Sequence, residues 1–414
     1  MFRGDANVSS SKAVSSSFQK AMENNLLLYC SSLSPRAIPP GEILVHRHFS
    51  RLKSYQIAIV VPEHKPPANL ENIVHLARVA STSGWLWRLR RGPLFPVADR
   101  LLARRVKREL DAIASRTKPA VVLTTFLPDT YLTAAADFAS EHALPLVLIC
   151  HDDYEDSTPS SFHSRLAEIY RQASVRLCVS EPMAAEFERR YGARGNVLYP
   201  IPSGPAKSPV IENSNARLRI GFAGTVCIGY EDALVRLADA VGSVGGQIVV
   251  VAPNPRNTVR CFWSHSAVID LGCVPPDKVG EVFQRAEVNA LAVVQNFDPR
   301  YEREFRYNFP SKLTEYTTFG LPLLIVGPES ASAVTWARAR AEVAVISSDS
   351  PTELRAAVKR LADPRARFEL AKAFQRCAVE FVPERLQALF EDAIESAIVK
   401  SLSSRADSTK ADVC

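Results

Sequence analysis

A lysine and a glutamate stand on the first two turns of a helix predicted from about residue 310, in the stretch YNFPSKLTEYTTFGLPLLIVG. Pro310 suits a helix start, because the first turn does not need its missing amide hydrogen. The free amides of that turn and Lys312 favour an anion such as phosphate. Glu315 falls three residues later on the same face, where its carboxylate can accept hydrogen bonds from sugar or ribose hydroxyls. The group suits a sugar nucleotide, and an exposed lysine–glutamate pair on a surface helix is the alternative.

A second polar group follows the apolar run LPLVLIC. His151 stands at the carboxyl end of this predicted strand, with Asp152 and Asp153 directly after it. Ligands of open parallel sheets bind at that end of the strands. We therefore expect His151 to take part in catalysis, and the aspartates to orient its ring or to bind acceptor hydroxyls. A loop that caps the next helix is the alternative, and since the spacing is not diagnostic of a metal site we predict none.

Apolar runs alternate with segments of helical spacing along the whole chain, which predicts an α/β protein with parallel sheets buried on both faces. The predicted strands are 25–32, 56–64, 120–126, 144–152, 175–180, 196–202, 217–224, 246–253, 266–274, 288–295, 321–327 and 343–347. The predicted helices are 41–53, 98–116, 129–142, 162–174, 181–192, 230–243, 276–286, 310–319, 329–339, 351–361, 364–382 and 383–401. Ser180 is a suitable cap for the helix at 181–192, and Gly192 a suitable stop. The pattern predicts two Rossmann-like domains that face a central cleft.

At 414 residues the chain is too long for one ordinary core, which favours two domains. A stretch rich in proline, serine and asparagine (196–216) is predicted to link them. The predicted division is a disordered tail at 1–22, an N-terminal domain at 23–203 that the helix at 383–401 rejoins, a C-terminal domain at 204–382 and a loose tail at 402–414.

Charge and cysteine content narrow the class of protein. The net charge of +6 is mild for this length, and no motif supports nucleic-acid binding. The eight cysteines form no C-x-x-C pair and mostly lie in apolar runs, which is typical of buried thiols in a cytoplasmic protein. The polar, serine-rich start lacks the apolar core of a signal peptide. No apolar run is long enough to span a membrane, so we expect any membrane association to be peripheral.

One basic segment carries aromatic residues, WLWRLRRGPLFPVADRLLARRVKREL (85–110). Such a segment can lie on an anionic surface, here the inner face of a membrane. A solvated helix whose long basic side chains extend over an apolar face remains the alternative.

Several stretches in the same order resemble the GT-B glycosyltransferases, especially glycosyltransferase family 4. FPSKLTEYTTFGLPLLIVG resembles the family's donor-site segment, LRIGFAGTVCIGYEDALVRLADAV the start of its C-terminal domain, and IDLGCVPPDKVGEVFQRAEVNALAV the segment along the nucleotide base. RLCVSEPMAAEFERRYGARGNVLYPIP resembles the exit from the N-terminal domain. The resemblance covers roughly residues 25–400. It implies an acceptor domain followed by a nucleotide-sugar donor domain.

The resemblance also assigns roles to residues of the donor domain. Glu315 matches the second glutamate of the family's E-x7-E motif, which contacts the ribose. Lys312 falls where relatives have a basic residue, assigned here to the diphosphate, and Ser311 lies beside it. Gly224 and Thr225 match the turn at which the donor phosphates approach the backbone.

Two further positions come from the resemblance in the first domain. His151 matches a histidine that contacts the donor sugar or places the acceptor. Gly41 is the only glycine of the loop after the first strand, which carries a glycine near the acceptor in related enzymes.

The chain departs from the family at two points. Tyr307 stands where the first glutamate of E-x7-E is expected, and Glu304 or Glu302 could replace it. The loop GTVCIGYED lacks the basic pair of many relatives, so the phosphates would depend on Lys312, on helix amides, or on Arg303 or Arg306.

The resemblance implies a retaining transferase that moves a sugar from a nucleotide-diphosphate donor to a hydroxyl of a glycan or lipid-linked acceptor, with no cofactor or metal. Two alternatives stay open. Tyr307 and the cation-free loop could mark a degenerate protein that binds nucleotide or glycan without turnover. A sugar-nucleotide epimerase or hydrolase shares the fold, but it needs a carboxylate pair at the sugar that the sequence does not place.

Overall fold

The structure, a computed structural model, describes residues 26–37, 41–79, 95–155, 158, 160–210, 217–226, 228–253, 259–295, 297–340, 344–346 and 350–411. The chain divides into two compact units. Unit 1 comprises residues 1–178, 187–196 and 388–414, and unit 2 comprises 179–186 and 197–387. The chain therefore passes from one unit to the other inside the helix that follows Ser180 and again inside the last helix. The predicted tail at 1–22 lies outside the described residues.

The first sheet has seven strands in the order β3-β2-β1-β4-β5-β6-β7. All neighbouring strands from β3 through to β6 in this order are parallel. The strands are β1 Leu26–Cys30, β2 Gln56–Pro62, β3 Ile73–Val79, β4 Val121–Thr125, β5 Leu146–Cys150, β6 Val175–Cys178 and β7 Asn196–Val197. The accompanying helices are α1 Glu42–Arg51, α2 Phe95–Arg116, α3 Thr130–Glu141, α4 Ser160–Gln172 and α5 Glu181–Tyr191. The order reverses between β1 and β4, so ligands are expected at the carboxyl ends of these two strands.

The second sheet has six parallel strands in the order β10-β9-β8-β11-β12-β13. Its strands are β8 Arg219–Ala223, β9 Gln247–Val251, β10 Val268–Asp270, β11 Ala290–Val294, β12 Leu323–Val326 and β13 Ala344–Ile346. The helices are α6 Glu231–Ser243, α7 Arg260–Trp263, α8 Val279–Arg285, α9 Glu302–Tyr307, α10 Ser311–Glu315, α11 Ser332–Arg338, α12 Pro351–Ala362, α13 Pro364–Cys377 and α14 Pro383–Ala411. This order reverses between β8 and β11.

Both sheets are built from apolar runs because both of their faces are covered. Strands β1, β4, β5 and β11 are buried at every residue. In unit 2 one face of the sheet packs on α6 and α12 around Phe222, Leu234 and Val358. Strands buried on both faces need continuous apolar sequence, which is why twelve of the strands were visible in the sequence.

The helix after Ser180 begins and ends as predicted. The Ser180 hydroxyl accepts from the Met183 amide at 3.1 Å. Gly192 has a φ of +78°, and its amide donates to the Glu188 carbonyl at 2.8 Å. The serine cap and the left-handed glycine therefore set the limits of α5.

Several elements differ from the sequence prediction. Strand β3 was missed because it lies at the sheet edge and alternates in burial, unlike the apolar runs of the inner strands. The short helices α7 and α9 were also missed. Helix α14 continues to Ala411, ten residues beyond the predicted end at Ser401. The predicted loose tail therefore forms helix over most of its length.

Candidate functional site

Lys312 lies against the glycine turn that ends β8. Its Nζ is 3.5 Å from where a Cβ on Gly224 would be. The same ammonium lies 4.1 Å from the ring centre of Phe222 and 5.6 Å from that of Tyr230. Ring faces attract a cation, so the aromatic pair holds the half-buried ammonium at the carboxyl end of β8. The structure thereby brings together Lys312 and Gly224, as the sequence prediction requires.

The turn itself is fixed from both sides. Gly224 has a φ of +131°, which side chains other than glycine rarely adopt. Its amide donates to the Val251 carbonyl at 2.9 Å. The preceding amide of Ala223 donates to the hydroxyl of Tyr316 at 2.8 Å. Tyr316 is fully buried, and burial raises its pKa. This tyrosine was missed by the sequence analysis, and it ties the segment of Lys312 to the turn. Thr225, next in the turn, is exposed.

The predicted helix at 310–319 is shorter than expected. Helix α10 has five residues, and a 3-10 turn over Tyr316–Phe319 follows it. Three threonines explain the tightening, because each hydroxyl bonds the carbonyl three residues earlier, at 2.7 to 2.9 Å: Thr314, Thr317 and Thr318. A helix of this length has little macrodipole. Anion binding at this helix would therefore depend on Lys312. Ser311 is the half-buried first residue of the helix.

Glu315 is bound to the segment that leads into unit 2. Its carboxylate accepts from the Ser203 amide at 3.1 Å and from the Ser203 hydroxyl. Nearby, the Lys207 amide donates to Thr317 and the Val210 amide to Gly320, each at 3.1 Å. A Cβ on Gly320 would come within 2.2 Å of the Ser208 carbonyl oxygen. The glycine therefore permits this close packing, and the Glu315 carboxylate is half-buried with its oxygens on Ser203.

Tyr307 ends α9 and offers no carboxylate. Its carbonyl oxygen accepts from the Ser180 hydroxyl at 2.5 Å, which joins α9 to the start of α5 within unit 2. Glu302 and Glu304 are exposed, and Glu302 pairs with Arg306 at 3.8 Å. The Arg306 guanidinium lies 5.8 Å from the centre of the Tyr307 ring.

His151 follows β5 at the carboxyl edge of the first sheet. Burial lowers its pKa to about 4, so the ring is neutral at neutral pH. Its Nδ1 atom is buried and has no hydrogen-bond partner among the described residues. Burial also raises the pKa of Asp152, although the Tyr154 hydroxyl, which donates to it at 2.9 Å, acts in the opposite direction. A neutral imidazole and a carboxyl with raised pKa are suited to proton transfer and to hydroxyl binding.

Asp153 has a different environment from its neighbours. Its carboxylate forms a two-pronged ion pair with Arg190, both N–O distances being 2.9 Å. The side chains are 2% and 11% exposed, respectively. Arg190 also contacts Glu155 at 2.6 Å. The pair fastens the loop after β5 to α5, and the Asp153 carboxylate also accepts from the Glu155 amide at 3.3 Å.

Other polar groups at the edge of unit 1 were missed by the sequence analysis. The Ser31 hydroxyl bonds Thr125, and the Ser32 hydroxyl bonds Asp129. Asp129 also caps α3, accepting from two of its amides at 2.9 and 3.0 Å. The two serines follow β1, Thr125 ends β4 and Asp129 follows β4. The strand order reverses between these two strands. Their place directly after apolar runs was the signal that could have identified them.

Gly41 starts α1 beside a buried charge cluster. It has a φ of +76°. The adjacent Glu42 is 2% exposed and forms ion pairs with Arg36 and, at 3.3 Å, with Lys65. The loop after β1 is thus closed by charge pairing, and Gly41 supplies the backbone turn.

Within the described part of the chain, no three His, Cys, Asp or Glu side chains are grouped as metal ligands would be. The search for spanning segments, over the same residues, found no helix with the length and apolarity needed to traverse a bilayer. Four of the described cysteines are buried and two, Cys261 and Cys273, are exposed, all as free thiols.

The chain is similar to known proteins in sequence over part of its length and in fold over most of it. Residues 45–204 match the sequence model of Glycosyltransferase Family 4. No curated protein sequence matches the chain significantly.

Several solved structures share the fold. Anabaena HepE in complex with UDP superposes with a TM-score of 0.64 at 14% identity, over 90% of this chain and 100% of that one. The lipopolysaccharide outer core galactosyltransferase WaaB gives 0.63 at 12% identity, over 90% and 99%. The calicheamicin glycosyltransferase CalG4 gives 0.51 at 13% identity, over 90% and 98%. The chain is therefore an α/β protein with the GT-B fold of glycosyltransferases, and its residues 45–204 carry the sequence pattern of Glycosyltransferase Family 4.

Proposed function

We propose that this protein transfers a sugar from a nucleoside-diphosphate donor to a hydroxyl of a glycan or lipid-linked acceptor, with retention at the anomeric carbon and without a bound metal. The observation that carries the proposal is the ammonium of Lys312 at the Gly224 turn. In support, one structural neighbour was solved with UDP and with UDP-glucose. Another is named as a galactosyltransferase.

Lys312 would stabilise the leaving diphosphate. Negative charge grows on the diphosphate as the bond to the sugar breaks, and a cation held in place in advance lowers the free energy of that transition state. The Phe222 and Tyr230 rings, which carry no charge, hold the ammonium in place. The glycine at 224 leaves room for phosphate oxygens beside the backbone.

His151 and Asp152 would act on hydroxyl groups. The neutral His151 ring can accept a hydrogen bond or a proton from a hydroxyl, which a protonated ring cannot do. Asp152, beside Tyr154, can accept from a second hydroxyl. Glu315 would bind the ribose hydroxyls, and for this it must share its oxygens with Ser203 or release it. Gly41 and Asp153 remain predictions for the acceptor.

The first experiment is a thermal-stability titration with UDP, GDP, ADP, dTDP and CMP. A ligand at about 100 times its dissociation constant stabilises the folded protein by about 2.7 kcal/mol. We expect one nucleoside diphosphate to raise the melting temperature, and Lys312→Ala to weaken its binding by about 10- to 100-fold, since a charge-assisted hydrogen bond contributes about 1.5–3 kcal/mol.

The matched control is Lys372→Ala. Lys372 also lies over an aromatic ring in unit 2, 5.1 Å from the centre of Phe368, but on the surface of α13. Equal losses in the two variants, or no response to any nucleotide, would contradict the proposal.

A second candidate function is nucleotide binding without turnover. Tyr307 favours it, because this position carries no carboxylate and the glutamates of the same helix are exposed. The two functions separate when the bound nucleotide sugar is incubated alone and with acceptors. Release of nucleoside diphosphate supports the transferase, whereas unchanged nucleotide sugar over many hours supports the binding protein.

We also propose that the surface of α2 binds an anionic membrane. The predicted segment 85–110 lies in part outside the described residues, but α2 is described. Its exposed face carries four arginines without an ion pair to any described residue: Arg100, Arg104, Arg105 and Arg108. Leu101, on the same face, is 48% exposed. Each basic residue near an anionic surface contributes about 1 kcal/mol.

Flotation with vesicles that contain phosphatidylglycerol tests the membrane proposal. We expect binding at low salt that is lost when all four arginines are changed to glutamine. The control variant changes three exposed basic residues of α12 instead: Arg355, Lys359 and Arg360. Binding that survives the change in α2 would exclude this surface.

A further inference from the structure

Gln295 stands at the carboxyl end of the second sheet, beside the strand-order reversal. It follows β11 directly. Leu291 pairs with Gly221 of β8 on one side and with Leu323 of β12 on the other. The register with β12 continues to Gln295, which lies beside Gly327. Strand β8 is the other neighbour of β11, and it ends at the Gly224 turn that Lys312 contacts.

The side chain of Gln295 is buried but not satisfied. It is 3% exposed, and its Oε1 atom has no hydrogen-bond partner among the described residues. Buried amides almost always find partners, because an unpaired acceptor away from water costs free energy. A buried acceptor without a partner at this edge of the sheet is therefore a candidate contact for a ligand.

The backbone around Gln295 keeps the amide in this position. The Gln295 amide hydrogen is donated to the Val326 carbonyl at 2.7 Å, which fixes the residue to β12. A Cβ on Gly327 would be 2.9 Å from the Gln295 Cβ and 3.1 Å from Oε1. The glycine therefore leaves the space that the amide occupies.

We infer that Gln295 binds the donor, its Oε1 accepting a hydrogen bond from a hydroxyl of the sugar that is carried on the diphosphate. This inference rests on the proposed transferase function. An amide oxygen repels phosphate oxygens and requires an O–H or N–H group, so it does not bind the diphosphate itself. The proposed function places the ribose at Glu315, and the transferred sugar offers several further hydroxyl groups beside the diphosphate.

The test compares Gln295→Met with the unchanged protein, using UDP with UDP-glucose and the corresponding pairs of GDP with GDP-mannose and ADP with ADP-glucose. Methionine keeps the length of the side chain and removes the acceptor. We expect the variant without ligand to melt at a higher temperature, since the unsatisfied acceptor is gone. We expect its affinity for the nucleotide sugar to fall about 10-fold while the affinity for the nucleoside diphosphate stays within about 2-fold.

Gln387→Met is the control, because Gln387 is another buried glutamine of unit 2, 7% exposed. It should leave the ratio of the two affinities unchanged. If Gln295→Met does not fold, Gln295→Leu makes the same comparison. If the unchanged protein binds a nucleoside diphosphate and its nucleotide sugar, and Gln295→Met leaves the ratio of the two affinities unchanged, the inference about Gln295 is overturned but the proposed function is not. Failure of the unchanged protein to bind any pair overturns the proposed function, and the inference with it.

Discussion

The carboxyl edges of the two sheets hold their charges in different ways. In unit 1 the charged groups near the edge pair with each other, as Asp153 does with Arg190 and Glu42 with Arg36. In unit 2 the cation at the edge, Lys312, lies against aromatic rings and a glycine turn. Paired charges fix the loops of unit 1, and in unit 2 the rings of Phe222 and Tyr230 hold the Lys312 ammonium at the end of β8. The difference supports the proposal that unit 1 supplies hydroxyl-binding groups on a fixed frame and unit 2 supplies the anion site.

The largest expected effect is on the ion pair of unit 1. Asp153→Ala should lower the free energy of unfolding by about 3–4 kcal/mol, because the mostly buried Arg190 loses its two-pronged partner, although its contact with Glu155 remains. Denaturant unfolding measures this loss. Glu188→Ala is the control on the same helix, since Glu188 and its partner Arg194 are 48% and 50% exposed, and exposed pairs contribute about 1 kcal/mol or less. Equal losses of stability in the two variants would show that the buried pair does not fix the loop of unit 1 more strongly than an exposed pair does.

The next effect concerns pH. The pKa of His151 is about 4 in the folded protein and 6.5 when unperturbed. Between these values the unfolded chain binds the additional proton, so stability is full above pH 6.5 and falls as the pH drops towards 4. The loss reaches about 3 kcal/mol, from about 1.4 kcal/mol per pKa unit.

His151→Gln should remove this part of the pH dependence, measured by denaturant unfolding at pH 4 to 7. His163→Gln is the control, since His163 bonds the Thr158 carbonyl at 3.1 Å in the same unit. A slope that persists in His151→Gln would show that the ring is solvated and would weaken its proposed role.

A smaller effect is expected in unit 2 from removal of the Tyr316 hydroxyl. Tyr316→Phe should lower the free energy of unfolding by about 1–3 kcal/mol, because the Ala223 amide loses its acceptor. It should also weaken nucleotide binding, since the turn beside Lys312 loses its anchor. Tyr301→Phe is the control, a half-buried tyrosine of the same unit whose hydroxyl makes no hydrogen bond to a described residue. Loss of stability without loss of binding would show that the turn holds its shape without Tyr316.

The smallest effect tests whether Glu315 is free to bind a ligand. Ser203→Ala should change the free energy of unfolding by less than about 1 kcal/mol, because it removes only the exposed bond from the Ser203 hydroxyl to Glu315. UDP affinity should stay equal or rise by about 2- to 3-fold, since Glu315 loses the bond from the Ser203 hydroxyl and keeps the bond from the Ser203 amide, whereas Glu315→Ala should lower it. These affinities are measured by calorimetry. A loss of affinity in Ser203→Ala would indicate that Glu315 only holds the linker.

Much of the fold was predictable because it depends on local pattern. Inner strands covered on both faces require apolar runs, and these identified every strand but β3. Strand β3 and the short helices α7 and α9 lack such a pattern. Helix α10 ends early through threonine side chains that bond their own backbone, which helical spacing alone does not reveal.

The candidate site divides in the same way. The sequence by itself determined the alternation of strands and helices, and it placed Lys312 and Glu315 on one face of a helix start and His151 at the carboxyl end of a strand. Only the tertiary structure decided the partners of these residues. Asp153 meets Arg190 across 37 positions and Glu315 meets Ser203 across 112, and the unsatisfied oxygen of Gln295 is visible only once its surroundings are folded. Local spacing sets which face a side chain occupies, but the packing of distant segments sets whether its polar atoms are satisfied or left for a ligand.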